Sequence, residues 1–365
     1  MGFSDFWGNE PTVRHLREGI RAGHIPPALI LAGPRGSGKY TLSLMLAQAI
    51  NCLRQPESDG LPDFCGECAN CLRIAEAQPL DTRIEEAVSA REEMRDADKK
   101  ETRILIQTHP DILVVPPDPP QLLIKMGQVR RVIHGMYRFP SDARHAIYIF
   151  TSTAFMKEAA NSLLKVLEEP PAYASIFLLA ENPGELLPTI RSRSIVYRLG
   201  ALPTETIEAL LAQRHPEWKA PQRALIARLA EGAVGRALGF DLAGYMASRQ
   251  DALVIVKNAL AEPDHSALFR MTETYRAGAE GQQKTAALLR ALASLLEDML
   301  LLQSGTAGLV RNIDLLPELT RLSASVSVGW IDAAARGLNQ VEAGMRRNLL
   351  RSLSLDAFAT ELASS

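Results

Sequence analysis

A glycine-rich turn set between an apolar run and a helix-forming run constrains this chain more than any other feature. Residues 28–33, ALILAG, form a short apolar segment ending in glycine, and residues 41–52, TLSLMLAQAINC, place apolar groups at helical spacing. The turn reads GPRGSGKYT over 33–41, so Gly33, Gly38 and Lys39 match G-x-x-x-x-G-K-[ST], with Gly36 inside the loop. Glycines at such places let backbone N–H groups turn inward around phosphates, and the following helix points its positive end at them. Lys39 is then expected to reach the terminal phosphates.

The match breaks one position later. The hydroxyl after the lysine normally binds Mg²⁺ directly, which needs a short side chain. Here Tyr40 stands at that position and Thr41 follows one step late. The tyrosine is expected to carry its hydroxyl too far out and to put a ring where the ion belongs, whereas Thr41 can still meet an inner phosphate. Hydrolysis also needs an acid at the end of a later strand. The natural strand, AIYIF over 146–150, is followed by TSTAFM, and no Asp or Glu occurs between Arg144 and Lys157. Glu158, Glu168 and Glu169 come too late to serve. Losing the hydroxyl and the acids together predicts a loop that holds ATP or ADP without hydrolysing it, or a purely structural relic.

Further apolar runs, DILVV over 111–115 and SIFLLA over 175–180, alternate with helical stretches such as KEAANSLLKVLEE over 157–169, stopped by Pro170 and Pro171. Alternation of this kind predicts an α/β fold with a parallel sheet covered on both faces. Residues 81–101 carry 13 charges in 21 positions, which predicts an exposed helix or a mobile insertion. After about residue 200, strand signals give way to Ala- and Leu-rich helical spacing, with a Thr204 cap and a helix ending near Gly232. Three parts are therefore expected: 1–200, nucleotide-binding-like; 201–250, a small helical domain; and 251–365, a helical bundle.

Cys65, Cys68 and Cys71 form C-x₂-C-x₂-C, and Cys52 lies upstream. Four thiolates satisfy a tetrahedral zinc ion, and a closed four-sulfur shell is structural rather than catalytic. Gly66 suits the tight turn that brings two sulfurs to one ion. An iron–sulfur pattern would continue C-x₃-C-P, which is absent. The net charge of −2 over 365 residues announces neither a nucleic-acid nor a membrane binder. With no basic-then-apolar leader and no membrane-length apolar run, a cytoplasmic protein is expected.

Together the phosphate loop, the inserted knuckle over 52–71, HPD (109–111), AANSLLKVLEEPP (159–171) and LLAENPGELLPTIRSRS (178–194) resemble the bacterial AAA+ clamp-loader family of DNA polymerase III. The final RRNLLRSLSLDAFATELA (346–363) resembles the family's collar more loosely. The resemblance implies an AAA+ domain with a zinc knuckle, then a helical lid and a collar. It also implies a hetero-pentamer with tau/gamma and delta subunits that loads a sliding clamp onto primer–template DNA. The acidic D-E-x-H box of the motor subunits is missing, which favours a non-hydrolysing stator.

By the same resemblance, Ser192-Arg193-Ser194 stands for Ser-Arg-Cys, making Arg193 an arginine finger for the neighbouring subunit's ATP site. A surface ion pair is the plainer role for such an arginine. Arg236 in EGAVGRALG matches the second sensor, against a capped helix with a solvated arginine, and Asn182 falls at the first sensor, against a turn residue. Lys125, Arg130 and Arg131 are candidate phosphate contacts for DNA. Two other classes stay open: an ATP-hydrolysing motor subunit, and a zinc-bearing DNA-binding module with a vestigial nucleotide fold.

Overall fold

The computed structural model describes residues 2–261, 266–275, 278–345 and 351–363. The chain divides into two compact units, one of residues 1–203 and 232–236, the other of 204–231 and 237–365.

The first unit is built on eight described strands: β1 Ala28–Ala32, β2 Glu57–Ser58, β3 Leu61–Pro62, β4 Ile106–His109, β5 Ile112–Val115, β6 Ala146–Phe150, β7 Ala174–Ala180 and β8 Ile195–Arg198. Six of them form one sheet in the order β4-β5-β6-β7-β1-β8. Five strands run parallel, and β4 pairs antiparallel with β5 at one edge. The expected parallel sheet is present. Edge strands β4 and β8 were not expected, because runs of four residues with mixed polarity carry little periodic signal.

Strand β1 is buried on both faces, as a central parallel strand should be. Its alternation divides the core. Leu29 and Leu31 join Ile147, Ile149, Phe177 and Leu179 on one face. Ile30 joins Phe150, Ile176 and Leu178 on the other. The first face is covered by α1 (Glu10–Arg21), α2 (Lys39–Asn51) and α3 (Ala69–Ala75). The charged segment forms α4 (Leu80–Glu92) and α5 (Asp96–Glu101), and α6 (Met126–Met136) and α7 (Lys157–Glu168) cover the second face. A single turn, α8 (Pro188–Arg191), precedes β8.

Helix α4 buries no residue completely. Its half-buried positions, Leu80, Arg83, Ile84, Ala87, Val88 and Arg91, follow helical spacing and mark one docked face, so the segment is an exposed helix held along one side. Arg91 pairs with the fully buried Asp118, whose other oxygen lies 3.9 Å from Arg103 Nε and 3.5 Å from Lys125 Nζ.

The HPD motif is a joint between the cysteine-bearing helix and the sheet edge. His109 Nε2 meets Asn70 Oδ1 at 3.2 Å, and Asp111 accepts N–H bonds from Ser141, Asp142 and Ala143 at 2.8–2.9 Å.

The described elements of the second unit are all helical: α9 (Thr204–Arg214), α10 (Ala220–Leu229) and the helices from residue 242 onward, with α11 (Val234–Leu238) starting in the first unit. Helix α10 ends where Glu231 and Gly232 take left-handed conformations. Helices α12 (Leu242–Ala261), α13 (Ser266–Thr272), α14 (Gly278–Gln303), α15 (Leu316–Ala324), α16 (Val328–Met345) and α17 (Arg351–Ala363) share a core that includes Leu253, Leu292, Trp330 and Phe358. The collar-like stretch 346–363 lies outside the described residues over 346–350. An α/β sheet domain followed by a helical C-terminal region is the fold class expected from the sequence.

Candidate functional site

The turn 33–38 leaves the sheet from an interior strand, since β1 lies between β7 and the edge strand β8. Gly33 N donates to Ala180 O at 3.1 Å, and Leu199 N to Ala32 O at 2.7 Å, so both neighbouring strands clamp the loop's entrance. Gly36 and Gly38 have φ of +82° and +88°, a region that L side chains rarely enter. A Cβ on Gly33 would stand 2.4 Å from the Leu199 carbonyl oxygen, and one on Gly36 would stand 2.8 Å from Arg236 N. Three of the sequence's site glycines are thus required by backbone geometry.

Lys39 opens α2 and bends back over the loop, donating to Gly33 O at 2.7 Å and Pro34 O at 2.8 Å. Burial pulls its pKa below the usual lysine range, opposed by Glu181 and then Glu185. Those two acids follow β7 and were missed in the sequence; the signal available was their place just past the apolar run 174–180. Glu185 also accepts from Thr153 Oγ1 at 2.6 Å, linking it to the chain beyond β6. Ser37 Oγ is buried and has no hydrogen-bond partner, an open donor in the loop itself. Thr41 is half-buried in the first turn of α2.

Tyr40 does something other than expected. Its hydroxyl donates to Ala77 O at 2.8 Å and its ring packs against the core that contains Cys71, Ile74 and Ala77. The ring is turned toward the cysteine segment, and burial raises its pKa. It is therefore no plug at the ion's position. The short hydroxyl is still missing after Lys39.

Gly235 N donates to Gly36 O at 2.7 Å, so the segment carrying Arg236 sits directly on the loop. Asn182 accepts from Gly184 N at 2.9 Å as the cap of a one-turn helix, the turn role weighed for it above. Arg193 pairs with Glu168 at 3.0 Å and donates to Thr189 O at 3.1 Å. Of the basic candidates, Arg130 and Arg131 are exposed on α6, whereas Lys125 faces Asp118.

The sulfurs of Cys52, Cys65, Cys68 and Cys71 all lie within 4.8 Å of one another. Cys52 caps the end of α2, Cys68 caps the start of α3, and Cys71 lies inside it. Gly66 has φ of +71°, the turn anticipated beside Cys65. Backbone N–H groups of Gln55 and Cys65 point at Cys52 Sγ at 3.2 and 3.3 Å, and those of Glu67 and Cys68 at Cys65 Sγ at 3.4 and 3.3 Å. Burial opposes ionisation of Cys68, yet bonds from the Cys71 and Leu53 backbone outweigh it and bring its pKa to about 6. The arrangement can hold a metal ion. Asp59 and Gly60, both at positive φ, turn the β2–β3 ribbon between the ligands, a hairpin signal that the sequence carried unread. Arg17 fastens this ribbon from α1, donating to Pro62 O at 3.0 Å and Leu61 O at 2.9 Å.

Fold and site together define an α/β phosphate-loop domain with a cysteine knuckle inserted after the loop's helix. The family described as "DNA polymerase III, delta subunit" matches residues 8–203, more than half of the chain, and the chain belongs to that family. The resemblance to DNA polymerase III clamp-loader subunits is thereby borne out. The chain is 27% identical over 241 residues to DNA polymerase III subunit tau of Escherichia coli K12, covering 65% of this chain and 32% of that one. It is 27% identical over 212 residues to subunit gamma/tau of Mycobacterium tuberculosis H37Rv, covering 58% and 31%. It thus spans about a third of the length of these relatives. Among solved structures, a gamma subunit-related protein of Thermotoga maritima is similar at 16% identity and a TM-score of 0.43, covering 97% of this chain and 99% of that one. Among the described residues, no helix is long and apolar enough to cross a membrane.

Proposed function

We propose that the chain is the non-hydrolysing stator of a replicative clamp loader, of the delta prime type. In this reading it works in the cytoplasm within a hetero-pentamer of tau/gamma and delta subunits. The ring opens a sliding clamp and closes it on primer–template DNA, gripping the DNA by its phosphates. Residues 201–250 serve as lid and 251–365 as collar.

The observation that carries the reading is the chemistry around Lys39. The position that should offer Mg²⁺ a hydroxyl is Tyr40, whose oxygen is committed to Ala77, and the chain beyond β6 offers Thr151, Ser152 and Thr153 in place of acids. Lys39, Ser37 and the turned backbone at Gly36 and Gly38 still suit phosphate oxygens. ATP or ADP is held there with Thr41 and Arg236 nearby in sequence and fold, and it is not turned over.

The catalytic contribution is made elsewhere. Arg193 extends toward the neighbouring subunit's nucleotide and stabilises charge on the phosphoryl group in flight, a role worth about 10³–10⁵ in rate in other phosphate-loop enzymes. The four cysteines hold a structural zinc ion. At a Zn–S distance of about 2.3 Å, tetrahedral sulfurs stand about 3.8 Å apart, which is compatible with four sulfurs that all lie within 4.8 Å of one another.

Glu181 and Glu185 favour a second reading, an ATP-hydrolysing motor subunit, because they place acids beside Lys39 from another strand. Steady-state turnover by the purified chain separates the two. Under the stator reading, no Mg²⁺-dependent hydrolysis is found, and Arg193→Ala lowers ATP turnover in a reconstituted loader. Clear turnover by the isolated chain, abolished by Glu181→Gln, would replace it with the motor reading.

A further inference from the structure

Helix α2 spans the distance between the two sites described above. Its first residue is Lys39 and its C-cap is Cys52. Two of its side chains also reach the cysteine segment between those ends. Gln48 donates through Nε2 to Cys71 O at 2.9 Å, and Tyr40 donates its hydroxyl to Ala77 O at 2.8 Å. Positions 40, 44 and 48 are spaced by four, so they follow one row along the helix toward Cys52 at its end. Leu44, in the middle of that row, is buried in the core that also holds Cys52, Cys68, Cys71 and Ile74.

Ala77 lies just beyond the end of α3, where carbonyls have no partner within the helix. Tyr40 satisfies one of them from the first turn of α2. That turn carries Gly38 and Lys39, and the bonds that hold the loop from within, Lys39 Nζ to Gly33 O and Pro34 O, start from it, so the position of the turn sets that of the loop. The knuckle is tied to its surroundings by Arg17, Gln48 and His109, and a bound ion would fix its four sulfurs relative to one another as well.

We propose that the metal-loaded cysteine knuckle is a brace that orders the phosphate loop, with Tyr40 as the positioning residue that carries this order from Ala77 to the start of α2. The proposal rests on the reading of the four cysteines as a metal site. A fixed α3 offers a fixed acceptor at Ala77, the acceptor holds the Tyr40 hydroxyl, and the hydroxyl holds the turn from which the loop hangs. Coupling of this kind is reciprocal, so a filled loop also slows loss of the metal. Tyrosine at this position thereby exchanges an ion ligand for a mechanical link.

Amide hydrogen exchange over 33–41 and 74–80 tests the link without any nucleotide. The samples are the zinc-loaded full chain, the same protein after chelation, and zinc-loaded Tyr40→Phe, which keeps the ring and loses only the hydroxyl. Chelation is expected to speed exchange over 33–41 by about three- to tenfold, the scale of one net hydrogen bond. Tyr40→Phe with its zinc retained is expected to do the same, leaving little for chelation to add. If Tyr40→Phe sheds zinc instead, the coupling is being read from its other end and the proposal stands. Wild-type exchange over 33–41 that ignores chelation overturns it, as does loaded Tyr40→Phe with wild-type exchange. A chain that takes up no zinc on titration overturns both this proposal and the metal site, whereas normal zinc uptake with an indifferent loop overturns this proposal alone.

Discussion

Arg193 donates through Nη2 to the Glu168 carboxylate at 3.0 Å, joining the segment after α8 to the last residue of α7. Glu168 sits at the negative end of its helix, where a carboxylate is disfavoured unless a cation answers it. Its partner is the residue proposed to act on a neighbouring subunit.

Both groups are partly exposed, so the pair contributes little to folding. Glu168→Gln is expected to lower unfolding stability by no more than about 1 kcal/mol. Urea titration of the isolated chain checks this, and a loss several times larger would mean that Arg193 is a structural strut rather than an available cation.

Asp118 behaves differently, because it is fully buried beneath Arg91, Arg103 and Lys125. Asp118→Ala leaves three cations facing one another and is expected to destabilise the first unit by about 3 kcal/mol. The same variant should loosen α4, which is read as faster proteolysis within residues 80–101. Unchanged cleavage there would separate the helix from the ion cluster.

His145 makes the first unit sensitive to acid. Its Nε2 meets Ser175 Oγ at 2.8 Å, and Ser175 gives its own proton to Pro26 O at 2.8 Å, so the neutral ring donates from Nε2. Burial lowers the pKa from 6.5 to about 4. The unfolded chain therefore binds more protons between those values. This stabilisation is complete above pH 6.5 and is lost as the pH falls toward 4, by roughly 2 kcal/mol between pH 6.5 and 5. Urea midpoints measured across that range should fall more steeply for wild type than for His145→Gln, and parallel curves would refute the assignment.

Gly36→Ala forces a side chain into a left-handed conformation and against Arg236 N. A cost of about 1–3 kcal/mol is expected, together with weaker binding of ATP measured by calorimetry. A variant with wild-type stability would show that the contact with 232–236 yields easily.

Cys71→Ser removes a buried sulfur from the cluster. Zinc content is expected to fall well below one per chain. Stability should drop by about 4 kcal/mol when free metal stands a thousandfold above its dissociation constant for the intact site. Metal analysis and thermal unfolding of the same samples check both values together.

The phosphate loop and the cysteine cluster were legible in the sequence because their chemistry is local. Gly33, Gly38 and Lys39 must be spaced as they are for a backbone to curl around phosphate, and Gly66 must follow Cys65 for two sulfurs to converge. The central strands were legible for a similar reason, since a strand buried on both faces is an unbroken apolar run. The edges were not: β4 and β8 owe their pairing to their neighbours rather than to any pattern of their own.

Only the tertiary structure decided what the odd residue of the loop does. In the sequence, Tyr40 is a missing hydroxyl, and nothing local tells which way a long side chain turns. Its direction is set by Ala77, 37 residues away, whose carbonyl is brought within 2.8 Å when α3 docks on α2. Glu181 beside Lys39 and Glu168 beneath Arg193 are likewise products of chain crossing. Local spacing determines which groups are present and what backbone they require. Long-range packing determines which of them meet, because contacts between distant segments form only when the core closes.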